Sequence, residues 1–280
     1  MEIFPYFSSY ILLYSVIAFL ILIIVPAPYG KFAKAYLPLQ INSRLAWSFN
    51  EIGALVFLLV GYLEDGKWYH DMPSSTKGWV CFIFLIVHFL WRSVLSQLVI
   101  AYVIDPPNGT KQTSLILPLL GLLYLPFVGM NFRRMSAQID DTYKFEDNVF
   151  LVGASISLCA NAFVDIQLNR WRKTEGTQIS EYLGTYLSRE EIGERFGLLD
   201  KLGFQSPNYL FEIFEWGFFT LFAFRWEAFW WFVATILYLL PRSIWTSHWY
   251  SIPAEKSTSN VVAKVVAVRP NVRTNNNFMF

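Results

Sequence analysis

Residues 10–25 read YILLYSVIAFLILIIV, sixteen positions without one charged side chain. Hydrocarbon offers no water to satisfy backbone N–H and C=O groups, so a stretch of this kind is stable in lipid only as a helix. Its length spans a bilayer with modest help from its flanks. The residues before it lack the basic segment and small-residue cleavage site of a signal peptide, so it reads as the first retained helix. Six further apolar stretches follow, at 45–63, 78–104, 113–132, 148–168, 208–224 and 227–241. Only 15% of residues are charged, against about 25% in soluble domains. The expected fold class is therefore all-α: a polytopic membrane protein built as a bundle of about seven transmembrane helices. Residues 1–250 form one domain on this reading, with a polar segment at 169–207 and a polar tail at 251–280. The fourth stretch contains Pro118, Gly121 and Pro126, which predicts a bent helix packed inside the bundle.

Lys and Arg counts orient the bundle. With the N-terminus outside, fifteen basic residues fall on the inner side and six on the outer, with Arg92 inside the third span. This bias places the N-terminus on the outer or lumenal side and the C-terminus in the cytosol. The last two stretches are joined by only Arg225 and Trp226, and Trp226, Trp230 and Trp231 read as interfacial anchors. The segment 169–207, with SREEIGER and ERFGLLDKLGF, is either a cytosolic surface helix or a lid over a site opening to the cytosol.

A net charge of +1 gives no indication of nucleic acid as a partner. The two cysteines, Cys81 and Cys159, lie in apolar runs, which argues against a disulfide framework. His70, His88 and His248 have no metal-ligand spacing, so no metal site is expected. Nucleotide-binding glycine loops and the Gly-x-Ser-x-Gly elbow are missing too.

The polar residues within the apolar stretches are informative because lipid cannot hold them, and ionisable ones cost at least about 2.5–3.5 kcal/mol at a bilayer centre. Asn208, Glu212 and Glu215 stand at i, i+4 and i+7, within roughly 60° of arc on a helix. Asn161, Asp165 and Arg172 also share a face, as do His88 and Arg92; Asn50 and Glu51 lie early in the second span beside Trp47. Arg242 and Tyr250 frame His248 at the end of the seventh. Such faces form either a hydrogen-bond network between helices or a cavity for a large polar ligand. Arg172, Lys173 and Arg242 sit near cytosolic helix ends, where phosphate groups are met.

At these positions the chain resembles the steroid 5α-reductase family, membrane enzymes that reduce a conjugated carbon–carbon double bond with NADPH. SPNYLFEIFEW at 206–216 is similar to that family's Asn-Tyr-x-x-Glu-x-x-Glu-Trp signature. ANAFVDIQLNRWR resembles its Asn-x-x-Ser-Asp-x-x-Leu…Arg segment, and RLAWSFNE its Ala-Trp-Phe-x-Gln-Glu stretch. PYGK at 28–31 and PRSIWTSHWY, with Arg242 and Tyr250, extend the likeness over most of the chain. The resemblance implies NADPH held by Asn161, Asp165, Arg172, Asn208, Glu212, Arg242 and Tyr250. It implies Glu51 as the catalytic residue, and Trp47, Asn50, Phe89 and Arg92 toward the substrate, a steroid or other hydrophobic enone lipid. A protonated Glu51 would donate a hydrogen bond to the carbonyl oxygen on which negative charge develops. The endoplasmic reticulum membrane is the implied location, or an inner membrane in a prokaryote.

The chain departs from the family pattern at the reacting end. Phe89 stands where the family has a catalytic Tyr, Asn50 replaces a Gln, and Thr246 replaces a His. Another donor then replaces the phenol, the substrate is not a 3-keto steroid, or turnover is weak. Reduction of polyprenols or of trans-2-enoyl-CoA, and a catalytically impaired binder of NADPH and lipid, are the alternatives within the superfamily. A transporter using the same polar faces would be expected to show internal repeats or paired broken helices, and neither is apparent. The orientation is open to test: Asn108-Gly109-Thr110 is a glycosylation sequon on the side read as cytosolic. Expression in glycosylating cells is expected to leave Asn108 unmodified, and a glycosidase-sensitive mobility shift lost in Asn108→Gln would overturn the topology.

Overall fold

Helical structure lies within each of the seven apolar stretches in the computed structural model, which describes residues 4–24, 40–64, 66–99, 112–140, 142–174, 177–180, 184–186 and 206–251. The helices are α1 (Phe4–Ile24), α2 (Ser43–Val60), α3 (Thr76–Val99), α4 (Ile116–Gln138), α5 (Phe145–Thr174), α6 (Pro207–Ala223) and α7 (Trp226–Ser251). Three contain a stretch long and apolar enough to cross a membrane: Thr76–Val99, Phe145–Arg170 and Trp226–Thr246. Tyr10–Ile24 and Leu45–Val60 are shorter apolar helices. The PYGK element, the Asn108 sequon, most of segment 169–207 and the tail beyond Ser251 lie outside the described residues.

Burial on α5 shows the solvent this fold is built for. Val149, Val152, Ile156 and Phe163 are exposed along one side, while Ser157 and Asn161 are buried on the other. An apolar exterior around a partly polar interior suits lipid rather than water.

Several helix ends differ from expectation. α7 continues ten residues past Pro241, since a proline costs a helix one backbone hydrogen bond and neighbouring groups in a bundle re-satisfy what it frees. α5 likewise extends to Thr174, which carries Arg172 on the same helix as Asp165. The α6–α7 turn is Phe224-Arg225: Phe224 takes the left-handed conformation at φ 50°, and its N–H donates to Thr220 O at 2.8 Å. Trp226 is exposed there, but Trp231 packs inward against Trp216 (5.7 Å) and Tyr124 (6.0 Å). Trp231 is thus a core residue, not an interfacial anchor: five positions beyond Trp226, it turns toward the opposite side of the helix.

The helical body also carries three short antiparallel strand pairs. β1 (Gln40–Asn42) pairs with β4 (Gln112–Ser114), β2 (Tyr62–Glu64) with β3 (Lys67–Tyr69), and β5 (Thr177–Ser180) with β6 (Gly184–Tyr186). The first pair ties the entrance of α2 to the entrance of α4, so the two helices start in fixed register.

That register is held by backbone contact. A Cβ at Gly129 on α4 would lie 2.2 Å from Ala54 O on α2. Between helices with apolar surfaces all round, such close approach supplies the packing that a hydrophobic difference cannot. Beyond this crossing, Arg133 Nη1 donates to Leu58 O (3.3 Å) and its Nη2 to His70 O (3.0 Å), fastening the β2–β3 hairpin region to α4. Lys77 Nζ pairs with Asp147 Oδ2 at 3.1 Å, joining α3 to α5.

Gly129→Val is therefore expected to lower the melting temperature sharply in detergent, reflecting a loss of at least about 1–3 kcal/mol. Gly66→Asn is the control: it sits in the β2–β3 turn at φ 74° with open space around it, a conformation Asn tolerates. It should leave the melt unchanged, as a thermal-shift series would show.

Candidate site around Arg92

Arg92 sits at a local change of helix type. Residues Trp91–Leu95 form a π turn within α3, a widening of the helix that is frequent at functional sites. Ser93 Oγ donates to Phe89 O (2.6 Å) and Ser96 Oγ to Arg92 O (3.1 Å), supporting carbonyls on either side of it.

The guanidinium projects among carboxylates from three other helices. Arg92 Nη2 is 3.7 Å from Glu51 Oε1 on α2 and 3.6 Å from Glu212 Oε2 on α6; Nη1 is 3.6 Å from Asp165 Oδ2 on α5. Asn208 Nδ2 donates to Asp165 Oδ1 at 3.1 Å, and Arg92 lies over the Trp47 ring at 5.5 Å. The side chains of Arg92 and Glu51 are each 12% exposed. At 3.6–3.7 Å these are ion pairs longer than direct hydrogen bonds, a spacing that leaves donors and lone pairs for water or a ligand. Three carboxylates face one guanidinium, so the ionised cluster carries excess negative charge in a partly dry interior.

All members come from the same end of the bundle, where α2 and α6 begin and α3 and α5 end. The one-face reading of Asn208 with Glu212 on α6 brings both to it, Asp165 joins from α5, and Asn161 stands one helical turn before Asp165. Asn161 is 2% exposed, and its Oδ1 has no hydrogen-bond partner. Asn50 is set differently: a Cβ at Gly121 would lie 1.8 Å from Asn50 Oδ1, so this amide lies against α4. Arg242 lies on α7 over the Tyr238 ring at 5.5 Å, within Coulombic reach of Glu51. Arg172 and Tyr250 continue α5 and α7, and their side chains lie outside the described residues.

Phe89 points elsewhere. It is 1% exposed and joins an aromatic core with Phe132 (6.2 Å) and Trp216 (6.3 Å). Beside it, His88 Nδ1 is hydrogen-bonded to Glu215 Oε1. This bond escaped the sequence reading, although its signal was there: His88 and Arg92 at i, i+4 on α3 face Glu215 and Glu212 at i, i+3 on an antiparallel α6.

The arrangement offers acceptors for amide and hydroxyl groups (Glu51, Asp165, Glu212, Asn161) and a fixed cation among them. Among the described residues, no group of three or more His, Cys, Asp or Glu side chains is placed to hold a metal ion. Both cysteines are free, Cys81 buried and Cys159 exposed. Removing the cation alone should be severe: Arg92→Met leaves mutually repelling buried carboxylates, an expected loss of about 3–5 kcal/mol. The double variant Arg92→Met/Glu212→Met should recover part of that loss in the same thermal melt. No protein-family model matches this chain, and no curated protein matches it.

Proposed function

We propose that this protein is a membrane-embedded NADPH-dependent reductase of a conjugated carbon–carbon double bond in a lipid such as a 3-oxo-Δ4 steroid. The observation that carries the reading is the convergence of Glu51, Arg92, Asp165, Asn208 and Glu212 from four helices. These are the positions that the likeness to the steroid 5α-reductase family singles out. The accompanying topology is seven spans with the N-terminus lumenal and the C-terminus cytosolic, in the endoplasmic reticulum membrane.

The residues suit such a cofactor. Asp165, Glu212 and the unpartnered Oδ1 of Asn161 accept hydrogen bonds from a carboxamide and from ribose hydroxyls, and Asn208 steadies Asp165. The same carboxylates repel phosphates, which fit better at Arg172 and Arg242 near the cytosolic helix ends. NADPH, when bound, supplies the hydride that adds to the β-carbon of the substrate. Glu51 in its protonated form donates a hydrogen bond to the carbonyl oxygen, where charge accumulates in the transition state. Arg92 holds Glu51 and Glu212 in fixed positions and offsets that charge. Trp47, under the guanidinium, and Asn50 shape the substrate side.

One observation favours a second reading, reduction of a polyprenol or trans-2-enoyl-CoA, or NADPH and lipid binding with impaired turnover. Phe89 has no hydroxyl and faces the aromatic core.

Purified protein in detergent is expected to bind NADPH, seen as a change in cofactor fluorescence, and to consume it with one of a panel of enone steroid, polyprenol and enoyl-CoA substrates. Asp165→Ala should weaken binding at least about 10-fold, the effect of losing a charge-assisted hydrogen bond. Absence of NADPH binding by the wild type defeats the reductase reading, and binding without turnover selects the impaired relative.

A further inference from the structure

The chemistry assigned to Arg92 and Glu51 leaves a second polar layer unused. His88 precedes Arg92 by four residues on α3, and Glu215 follows Glu212 by three on α6. The helices run in opposite directions, so both sit about one turn, roughly 5 Å, farther from the cytosolic end. His88 is 2% exposed and Glu215 0%. The imidazole is walled by Trp216 at 4.6 Å and Phe89 at 5.0 Å, and its Nδ1 shares a hydrogen with Glu215 Oε1. Glu215 Oε2 is buried with no hydrogen-bond partner. A carboxylate serving only to brace two helices would have both oxygens satisfied, because an orphaned buried acceptor costs about 1–3 kcal/mol.

The charged groups beside this pair come from several helices. Among the described residues these include Arg92 on α3, Glu212 on α6, Glu51 on α2, Asp165 on α5 and Arg242 on α7, and α4 contributes the Phe132 ring behind Trp216. The charge of Glu215 reaches Arg92, and that of His88 reaches Glu51.

Reduction of an enone consumes a proton as well as a hydride. The hydride and its electron pair come from NADPH, which becomes NADP⁺, and form the new C–H bond at the β-carbon. The resulting enolate takes a proton, and neither Phe89, which has none, nor Arg92, which stays protonated, supplies it. We propose that the His88–Glu215 pair stores the proton that the reduction consumes: Glu51 gives its proton to the enolate and recovers one from His88, and solvent then refills the pair. His88 and Glu215 are positioning residues in this scheme, acting through Glu51, and the inference rests on the reductase reading above.

The test uses the full-length protein in detergent with Glu215→Gln, Glu215→Asp and His88→Gln, each checked by thermal melt. One readout needs no turnover: ring-¹⁵N-histidine NMR should show a strongly deshielded N–H proton in the wild type. That signal should persist in Glu215→Asp, vanish in His88→Gln and move to an ordinary amide-acceptor position in Glu215→Gln. The second readout is the pH–rate profile. Glu215→Gln should bind NADPH within twofold of the wild type, turn over at least about 100-fold more slowly and lose the alkaline limb, which Glu215→Asp keeps. Identical NMR signals in wild type and Glu215→Gln, or an unchanged pH profile, overturn the proposal. A wild type that binds no NADPH overturns the reductase reading and the delivery step with it; the NMR signal then decides separately whether the pair holds a proton.

Discussion

One guanidinium holds one end of this bundle together. Arg92 is the point at which α2, α3, α5 and α6 meet electrostatically, through Glu51, Asp165 and Glu212. In an interior of low dielectric each of these groups is costly alone, and the cluster is tolerable only when all four helices are in place. Other features support that placement. The backbone contact between Gly129 and Ala54 sets the depth of α2, and the π turn in α3 surrounds Arg92. At the far end, Arg133 and the Lys77–Asp147 pair do similar work with different partners.

The division between the two polar layers has a chemical logic. The outer layer is rich in acceptors and slightly open, with side chains 12–24% exposed, which on the proposed reading suits recognition of a large hydrogen-bonding cofactor. The inner layer is closed by Trp216 and Phe89 and consists of one titratable pair. Recognition needs direct contact with water and ligand, whereas a stored proton is reached only through a neighbouring group. Two carboxylates three residues apart on α6 acquire different roles from their surroundings alone.

Much of this was legible in the sequence, for reasons that particular residues make clear. The seven helices announced themselves through long apolar runs, the first of them YILLYSVIAFLILIIV without a single charge. The inward faces of α5 and α6 followed from the spacing of Asn161 with Asp165 and of Asn208 with Glu212, since helical geometry is local. The strand pairs were not visible: segments of three or four residues carry no periodicity to read. The course of α7 beyond Pro241 was missed because a proline's effect depends on what surrounds it. Trp231 looked interfacial by composition, and only packing against Trp216 places it in the core. Which carboxylate would meet His88 and which Arg92 depended on the relative height of two helices, a tertiary quantity that no single stretch encodes.

The bond between His88 and Glu215 joins residues 127 positions apart, and that separation has a meaning during synthesis. At about 5–20 residues per second, Glu215 leaves the ribosome roughly 6–25 s after His88. On the proposed seven-span reading, α2 and α3 enter the bilayer carrying Glu51, His88 and Arg92 while the carboxylates of α6 do not yet exist. Over that interval Glu51 is the only one of Arg92's three carboxylate partners already made when α3 emerges. The nascent chain therefore carries an unfinished electrostatic circuit that closes only when its sixth helix arrives, and completion of the site doubles as a report that synthesis has passed α6.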